Sequence, residues 1–64
     1  MKSRDVEVEH RGYVARQSSY NHHVWLSQNG EFVAHIQEDK ALTEDGLRTL
    51  VDNHIKLLEV LDIL

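Results

Sequence analysis

The side chains of this sequence that are best suited to chemistry are its histidines, five among 64 residues. His22 and His35 stand on either side of an Asn29-Gly30 dipeptide, and pairing of the two flanking segments would place them on one face as diagonal neighbours. Imidazole binds zinc, copper and nickel well, but a zinc site normally has three or four protein ligands. No carboxylate is placed securely beside the pair, although Glu38 and His10 could approach it. The sequence alone therefore assigns no metal ligand. It predicts that His22 and His35 are exposed polar residues on a sheet face that is partly accessible to solvent.

Other arrangements that would carry catalysis do not occur in the sequence. The serines are not framed by glycines as in the nucleophile elbow of serine hydrolases. The three glycines lie far apart, at 12, 30 and 46, which excludes a glycine-rich phosphate loop. A chain of this size also has little room for a ligand pocket of about 300 Å³. We therefore expect no enzyme activity, no catalytic residue and no cofactor.

Some DNA-binding proteins insert a small antiparallel sheet into the major groove. The predicted strands and turns carry residues of the types that such a sheet uses to contact DNA: Arg11, Arg16 and Trp25. The predicted outline resembles, in architecture alone and without a shared motif, the three-strand-plus-helix DNA-binding modules of some phage-type integrases. Together with neighbouring polar strand residues, Arg11 and Arg16 would suit a DNA-associated accessory or regulatory protein. The net charge of −4 opposes it, because phosphate contacts supply much of such affinity. Trp25 also fits a core cluster with Phe32 and Ile36, so DNA binding is the second interpretation.

The strands that would position these side chains are indicated by alternation and by turn residues. Asn-Gly tolerates the positive φ angles of a type I′ turn and is the strongest short hairpin signal. It predicts strands at about 22–28 and 31–37, in which Trp25 faces Ala34. Alternating acids and valines predict a strand at about 5–9, and Gly12 separates it from another at about 13–17. One face of the hairpin then carries Trp25, Phe32, Ala34 and Ile36, and the other carries Val24, Leu26 and Val33.

A long helix is predicted at about 44–63. Thr43 has the side chain of an N-cap residue, and Glu44 and Asp45 follow it where the helix dipole favours negative charge. From Leu47 onward, apolar residues recur at helical spacing on one broad stripe, which also includes His54. The predicted fold class is α+β, with a single domain at 1–64. It comprises a three- or four-stranded antiparallel meander and one C-terminal helix packed on the sheet face that bears Trp25.

The sequence has more apolar side chains than one thin sheet and one helix can bury from solvent, since six of the last eight residues are apolar. A contiguous apolar patch on a protein surface usually marks an interaction site. The sequence therefore predicts a small protein-interaction module that self-associates as a homodimer, with an unidentified protein as the other possible partner. The predicted interface residues are Leu57, Leu61 and Leu64 of the helix, and Val24, Leu26 and Val33 of the sheet.

The composition indicates where in the cell the protein is expected and which covalent or metal cross-links could stabilise its fold. The chain has no cysteine, so neither a disulfide nor a thiolate zinc site can support its small core. The start of the sequence is charged rather than apolar, unlike a signal peptide. No segment approaches the roughly 20 apolar residues of a membrane span. We therefore expect a soluble, cytoplasmic protein that does not associate with membranes.

Overall fold

The computed structural model describes residues 5–63, which form a four-stranded antiparallel sheet followed by one helix. The elements in chain order are β1 (Val6–His10), β2 (Tyr13–Gln17), β3 (Val24–Gln28), β4 (Glu31–Ile36) and α1 (Glu44–Ile63). Each strand pairs with the next, so the spatial order is β1-β2-β3-β4, and α1 packs on β1 and β2. The predicted α+β fold class is confirmed, and the meander has four strands.

Two-residue turns join β1 to β2 and β3 to β4. Arg11 and Gly12 have φ angles of +54° and +82°, and Asn29 and Gly30 have φ angles of +54° and +79°. Positive φ at both central residues is the mark of a type I′ turn, whose twist matches that of the strands it joins. The hairpin predicted at Asn29-Gly30 is therefore confirmed, and the β1–β2 connection uses the same geometry.

A β-bulge changes the register of the β3–β4 hairpin. Gln28 lies opposite Glu31, as predicted, but the register shifts beyond the bulge, so that Trp25 lies opposite His35 and not opposite Ala34. A bulge sets two residues of one strand against one residue of the other, and a shift of one residue moves a side chain to the opposite face. The predicted pairing of Trp25 with Ala34 is wrong for this reason.

The hydrophobic core lies between one face of the sheet and the first half of α1. Its largest fully buried side chains come from β3 and α1: Leu26, Val24, Leu47 and Val51. The remaining buried apolar members come from β1 and β2: Val8, Tyr13 and Ala15. We call the side of the sheet that carries this core the inner face and the opposite side the outer face.

Trp25 and Phe32 belong to the outer face. Trp25 stands between Val24 and Leu26, which are both fully buried, and successive side chains of a strand point to opposite faces. Phe32 is 66% exposed and pairs with Ser27, which lies two residues from Trp25 and thus on the same face. The prediction that the helix covers the face of Trp25 is wrong, because α1 packs against the residues that alternate with it.

A buried glutamine of β2 holds the two loops at one end of the sheet. Gln17 is only 3% exposed. Its amide nitrogen donates to the backbone oxygens of His22 and Lys40, at 2.8 and 2.9 Å. Its amide oxygen accepts from the backbone N–H of Leu42 at 2.8 Å. One side chain therefore fixes both the β2–β3 loop and the segment that leads into α1.

The predicted N-cap of α1 is confirmed. The Thr43 hydroxyl accepts from the backbone N–H of Gly46 at 3.0 Å, which satisfies one of the N–H groups that the first helical turn leaves without a partner. The backbone oxygen of Thr43 accepts from the N–H of Leu47, also at 3.0 Å, and starts the helical pattern. Within residues 5–63, no helix combines the length and the apolar character needed to cross a membrane.

Candidate functional site

α1 runs beyond the sheet at its C-terminal end. Asp52 lies beside the β1–β2 turn, where its Oδ1 accepts from Nη1 of Arg11 at 3.2 Å and lies 2.9 Å from Nε2 of His10. Ile55 is the last apolar side chain of α1 that packs against the core. Residues 56–63 amount to about two further helical turns. They contribute to the elongated shape of the molecule, which measures 47 × 23 × 18 Å along its principal axes.

We call residues 56–63 the helix end, and its apolar side chains are exposed. Leu57 and Leu61, two of the predicted interface residues, are 55% and 56% exposed, and Ile63 is 84% exposed. Leu58 and Val60 are also exposed, although they are not among the predicted interface residues. The predicted Leu64 lies outside the described residues. The helix end therefore presents apolar side chains on several sides.

The sheet residues predicted as a second interface lie in the core or at its margin. Val24 and Leu26 are fully buried, and Val33 is half-buried and packed against the core. The prediction of an interface at Val24 and Leu26 is wrong, because the inner face of the sheet is the face that α1 covers. Their apolar side chains stabilise the monomer.

Ion pairs anchor α1 just before the helix end. Hydrogen bonds from His10 and then from Arg11 hold the pKa of Asp52 below its ordinary value, so its carboxylate stays charged at neutral pH. The three side chains connect the β1–β2 turn to the middle of α1 and set the direction in which the helix leaves the sheet. Arg11, predicted to contact nucleic acid in the second interpretation, is thus engaged within the chain.

Arg16, the other predicted nucleic-acid residue, projects from the outer face and also has an acidic partner. Its Nε lies 3.3 Å from Oδ2 of Asp5. The backbone N–H of Ser19 donates to Asp5 and is the main cause that holds the pKa of this carboxyl below its ordinary value. A shallow depression of about 350 Å³ is lined by Asp5, Arg16, Ser18 and Trp25. Both charges of the depression are therefore compensated locally.

A cluster of two imidazoles and one indole lies beside this depression. His35 stacks on Trp25, with ring centroids 5.0 Å apart and ring planes at 15°. Nε2 of His35 lies 2.9 Å from Nδ1 of His23 in a hydrogen bond, and their ring centroids are 4.9 Å apart. His23 immediately precedes β3, and His35 lies on β4, which forms an edge of the sheet.

Local backbone geometry positions His23. Its backbone N–H donates to Oδ1 of Asn21 at 3.0 Å, and its backbone oxygen accepts from the N–H of Ser18 at 2.9 Å. The preceding residue, His22, has a φ angle of +66°, a left-handed conformation that is uncommon for a residue with a side chain. This turn brings the chain from the loop into β3 and places the His23 ring against His35.

The histidine pair differs from the one that the sequence suggested. His35 contacts His23, whereas His22 is a half-buried loop residue whose backbone oxygen accepts from Gln17. The bulge in β4 and the left-handed residue at 22 cause the difference, and neither has a signal in the local sequence pattern. Among residues 5–63, no group of three or more histidine, aspartate or glutamate side chains is arranged to hold a metal ion.

Comparisons of the chain with protein-family models, with curated proteins and with solved structures find no match.

Proposed function

We propose that this chain is a small, non-enzymatic interaction module that forms a homodimer through the helix end. The observation that carries the proposal is the exposure of five large apolar side chains within seven consecutive residues, 57–63. Clustered apolar exposure of this kind marks interaction sites on proteins. A 64-residue domain also has a thin core, so burial of this segment against a second copy would stabilise the fold.

The spacing along α1 supports pairing of helices. Leu50, His54, Leu57 and Leu61 follow one another at intervals of four, three and four residues, which is the spacing of the contact positions in paired helices. Leu50 and His54 are half-buried at the margin of the sheet, whereas Leu57 and Leu61 are exposed beyond it. The contact stripe therefore leads from the body of the domain onto the helix end.

The charges of the helix end lie away from this stripe. Its charged residues are Lys56, Glu59 and Asp62. Successive residues of a helix are about 100° apart, so Glu59 lies on the side opposite Leu57 and Leu61, with Lys56 and Asp62 on its flanks. A second copy can therefore cover the apolar stripe without burying a charge.

The experiment is a measurement of molar mass by light scattering, or by sedimentation, across a concentration series of the full chain. Full burial of a leucine contributes about 1.5–3 kcal/mol. Leu61 is 56% exposed, so its further burial contributes about 1 kcal/mol per copy, or about 2 kcal/mol in a symmetric dimer. Leu61→Glu should therefore weaken dimerisation by at least about thirtyfold. Its circular dichroism spectrum should remain that of the wild type, because Leu61 lies beyond the core.

Phe32→Glu is the matched control. It removes an exposed apolar side chain of the outer face, 66% exposed, and should leave the dimerisation constant within about twofold. A wild-type protein that stays monomeric up to about 100 μM would contradict the proposal. Equal weakening by Leu61→Glu and Phe32→Glu would contradict the assignment to the helix end.

A further inference from the structure

We propose that His23 and His35 form a binding site for a divalent transition-metal ion, and that copper(II) is the ion that the pair binds most tightly. The proposal concerns the outer face and is independent of dimerisation through the helix end. It starts from the two ring nitrogens that face each other at 2.9 Å, Nδ1 of His23 and Nε2 of His35. Neutral imidazole nitrogens are preferred ligands of copper, nickel and zinc.

The two nitrogens are close enough to share one ion. Metal–nitrogen bonds to histidine are about 2.0–2.1 Å long, so nitrogens that lie 2.9 Å apart can reach a common ion after rotation of the rings. Among the divalent ions that imidazole binds, copper(II) forms tighter complexes than nickel(II) or zinc(II) does. The order of affinities therefore selects copper(II).

Metal binding would replace the hydrogen bond between the two rings. In the hydrogen-bonded state, one of the facing nitrogens carries a proton. For both lone pairs to reach the metal, that proton must leave through solvent while the other nitrogen of the same ring takes one up. No net proton is released when both rings are neutral. Protonation of either ring removes a ligand, so binding must weaken as the pH falls.

The surroundings hold the two rings in place and leave the ion accessible. Hydrogen bonds at both backbone groups fix His23, while cross-strand pairing and stacking on Trp25 fix His35. The nearest strand on the outer face contributes Arg16, whose charge is compensated by Asp5. Because the site supplies two protein ligands, water or an external ligand must complete the coordination.

The fluorescence of Trp25 reports the binding of the metal ion. Trp25 is the single tryptophan of the chain, and its ring stacks on His35 at a centroid distance of 5.0 Å. A paramagnetic copper(II) ion bound beside His35 should quench its fluorescence. The experiment titrates copper(II) alone into the full chain in a buffer that does not bind copper, and EDTA then reverses the quenching. Electron paramagnetic resonance at one equivalent identifies the coordinated nitrogens.

Three single variants test the assignment: His23→Gln, His35→Gln and the matched control His22→Gln. Loss of an outer-shell partner of a metal ligand already costs about 10–100-fold in affinity, so loss of a ligand should cost at least tenfold. We expect this weakening for His23→Gln and for His35→Gln, while His22→Gln stays within about twofold of the wild type. Circular dichroism checks that each variant is folded.

Three results would overturn the proposal. The first is the absence of saturable quenching in the wild type up to about 100 μM copper(II). The second is quenching that all three variants preserve, or that all three weaken equally, which would place the ion elsewhere or show it to be adventitious. A resonance spectrum without two imidazole nitrogens at one equivalent would likewise reject the pair as ligands.

Discussion

Replacement of Gln17 by leucine should destabilise the protein severely. The side chain is 3% exposed and makes three hydrogen bonds to backbone groups of two separate loops, at 2.8, 2.9 and 2.8 Å. Leucine is close to glutamine in size and fits the apolar surroundings. It can neither donate to the oxygens of His22 and Lys40 nor accept from the N–H of Leu42.

The expected loss in the free energy of unfolding follows from the contribution of each hydrogen bond. A typical intramolecular hydrogen bond contributes about 1 kcal/mol net, and a buried group left without a partner costs about 1–3 kcal/mol. Three such bonds, offset in part by the additional apolar burial of leucine, give an expected loss of about 2–3 kcal/mol. A domain of 64 residues has a total stability of roughly 3–10 kcal/mol. The substitution should therefore remove a fifth or more of the free energy of unfolding.

Gln17→Glu separates hydrogen bonding from packing, since it keeps the shape of the side chain. The carboxylate can still accept from Leu42, but it would face the backbone oxygens of His22 and Lys40 where an amide N–H₂ group now donates. We expect a loss at least as large as that of Gln17→Leu at pH 7. Part of it should be recovered at lower pH, where the protonated acid can donate one hydrogen bond.

The assay is urea denaturation followed by circular dichroism at one low protein concentration. Gln28→Leu is the matched control, because Gln28 is exposed at the end of β3, and such surface substitutions stay within about 0.5 kcal/mol of the wild type. If Gln17→Leu also unfolds within about 0.5 kcal/mol of the wild type, the hydrogen-bonding role of Gln17 is refuted. Equal stability of Gln17→Glu at pH 7 would refute it independently.

Two further predictions concern α1. Asp52→Asn should lower stability at neutral pH, because the pKa of Asp52 is held below its ordinary value by its partners on the β1–β2 hairpin. The contribution of the carboxylate is complete above the ordinary aspartate pKa and is lost as the pH falls through the lower folded-state pKa. The difference from the wild type should therefore shrink in acid. Thr43→Ala removes the N-cap bond and should cost about 1 kcal/mol in urea denaturation, whereas Thr49→Ala, an exposed position inside α1, should cost nothing because alanine is a better helix former.

The elements of the fold could be predicted from the sequence because each has a local cause. Asn29-Gly30 accepts the positive φ angles of its turn, and Thr43 caps the helix at the predicted position. These signals depend only on neighbouring residues. The side of the sheet that α1 covers is a tertiary property, and the alternating pattern did not determine it because both faces of the β3–β4 hairpin contain apolar residues.

One backbone irregularity contributed to the error about the faces. The bulge in β4 sets His35, and not Ala34, opposite Trp25, and it pairs Ala34 and Ile36 with Leu26 and Val24. No glycine at the bulge indicates it in the sequence. A regular register put Ala34 and Ile36 on the face of Trp25 and made that face the more apolar one, whereas the structure buries Val24 and Leu26 completely. The exposure of apolar side chains at the helix end was predictable because the excess of apolar residues there does not depend on strand register.

The two proposed sites lie at opposite ends of the molecule, and this separation makes them independently testable. Gln17 joins the loop before β3 to the start of α1, so His23 lies at the end of the sheet where the helix begins. Asp52 contacts the turn at the other end of β1, and the helix end extends beyond that turn. The histidine pair also projects from the outer face, whereas α1 covers the inner face. Substitutions at sites so far apart, with no shared partner, add in free energy. The proposed dimerisation through Leu61 and the proposed metal binding through His35 can therefore each be tested by a substitution that leaves the other site unchanged.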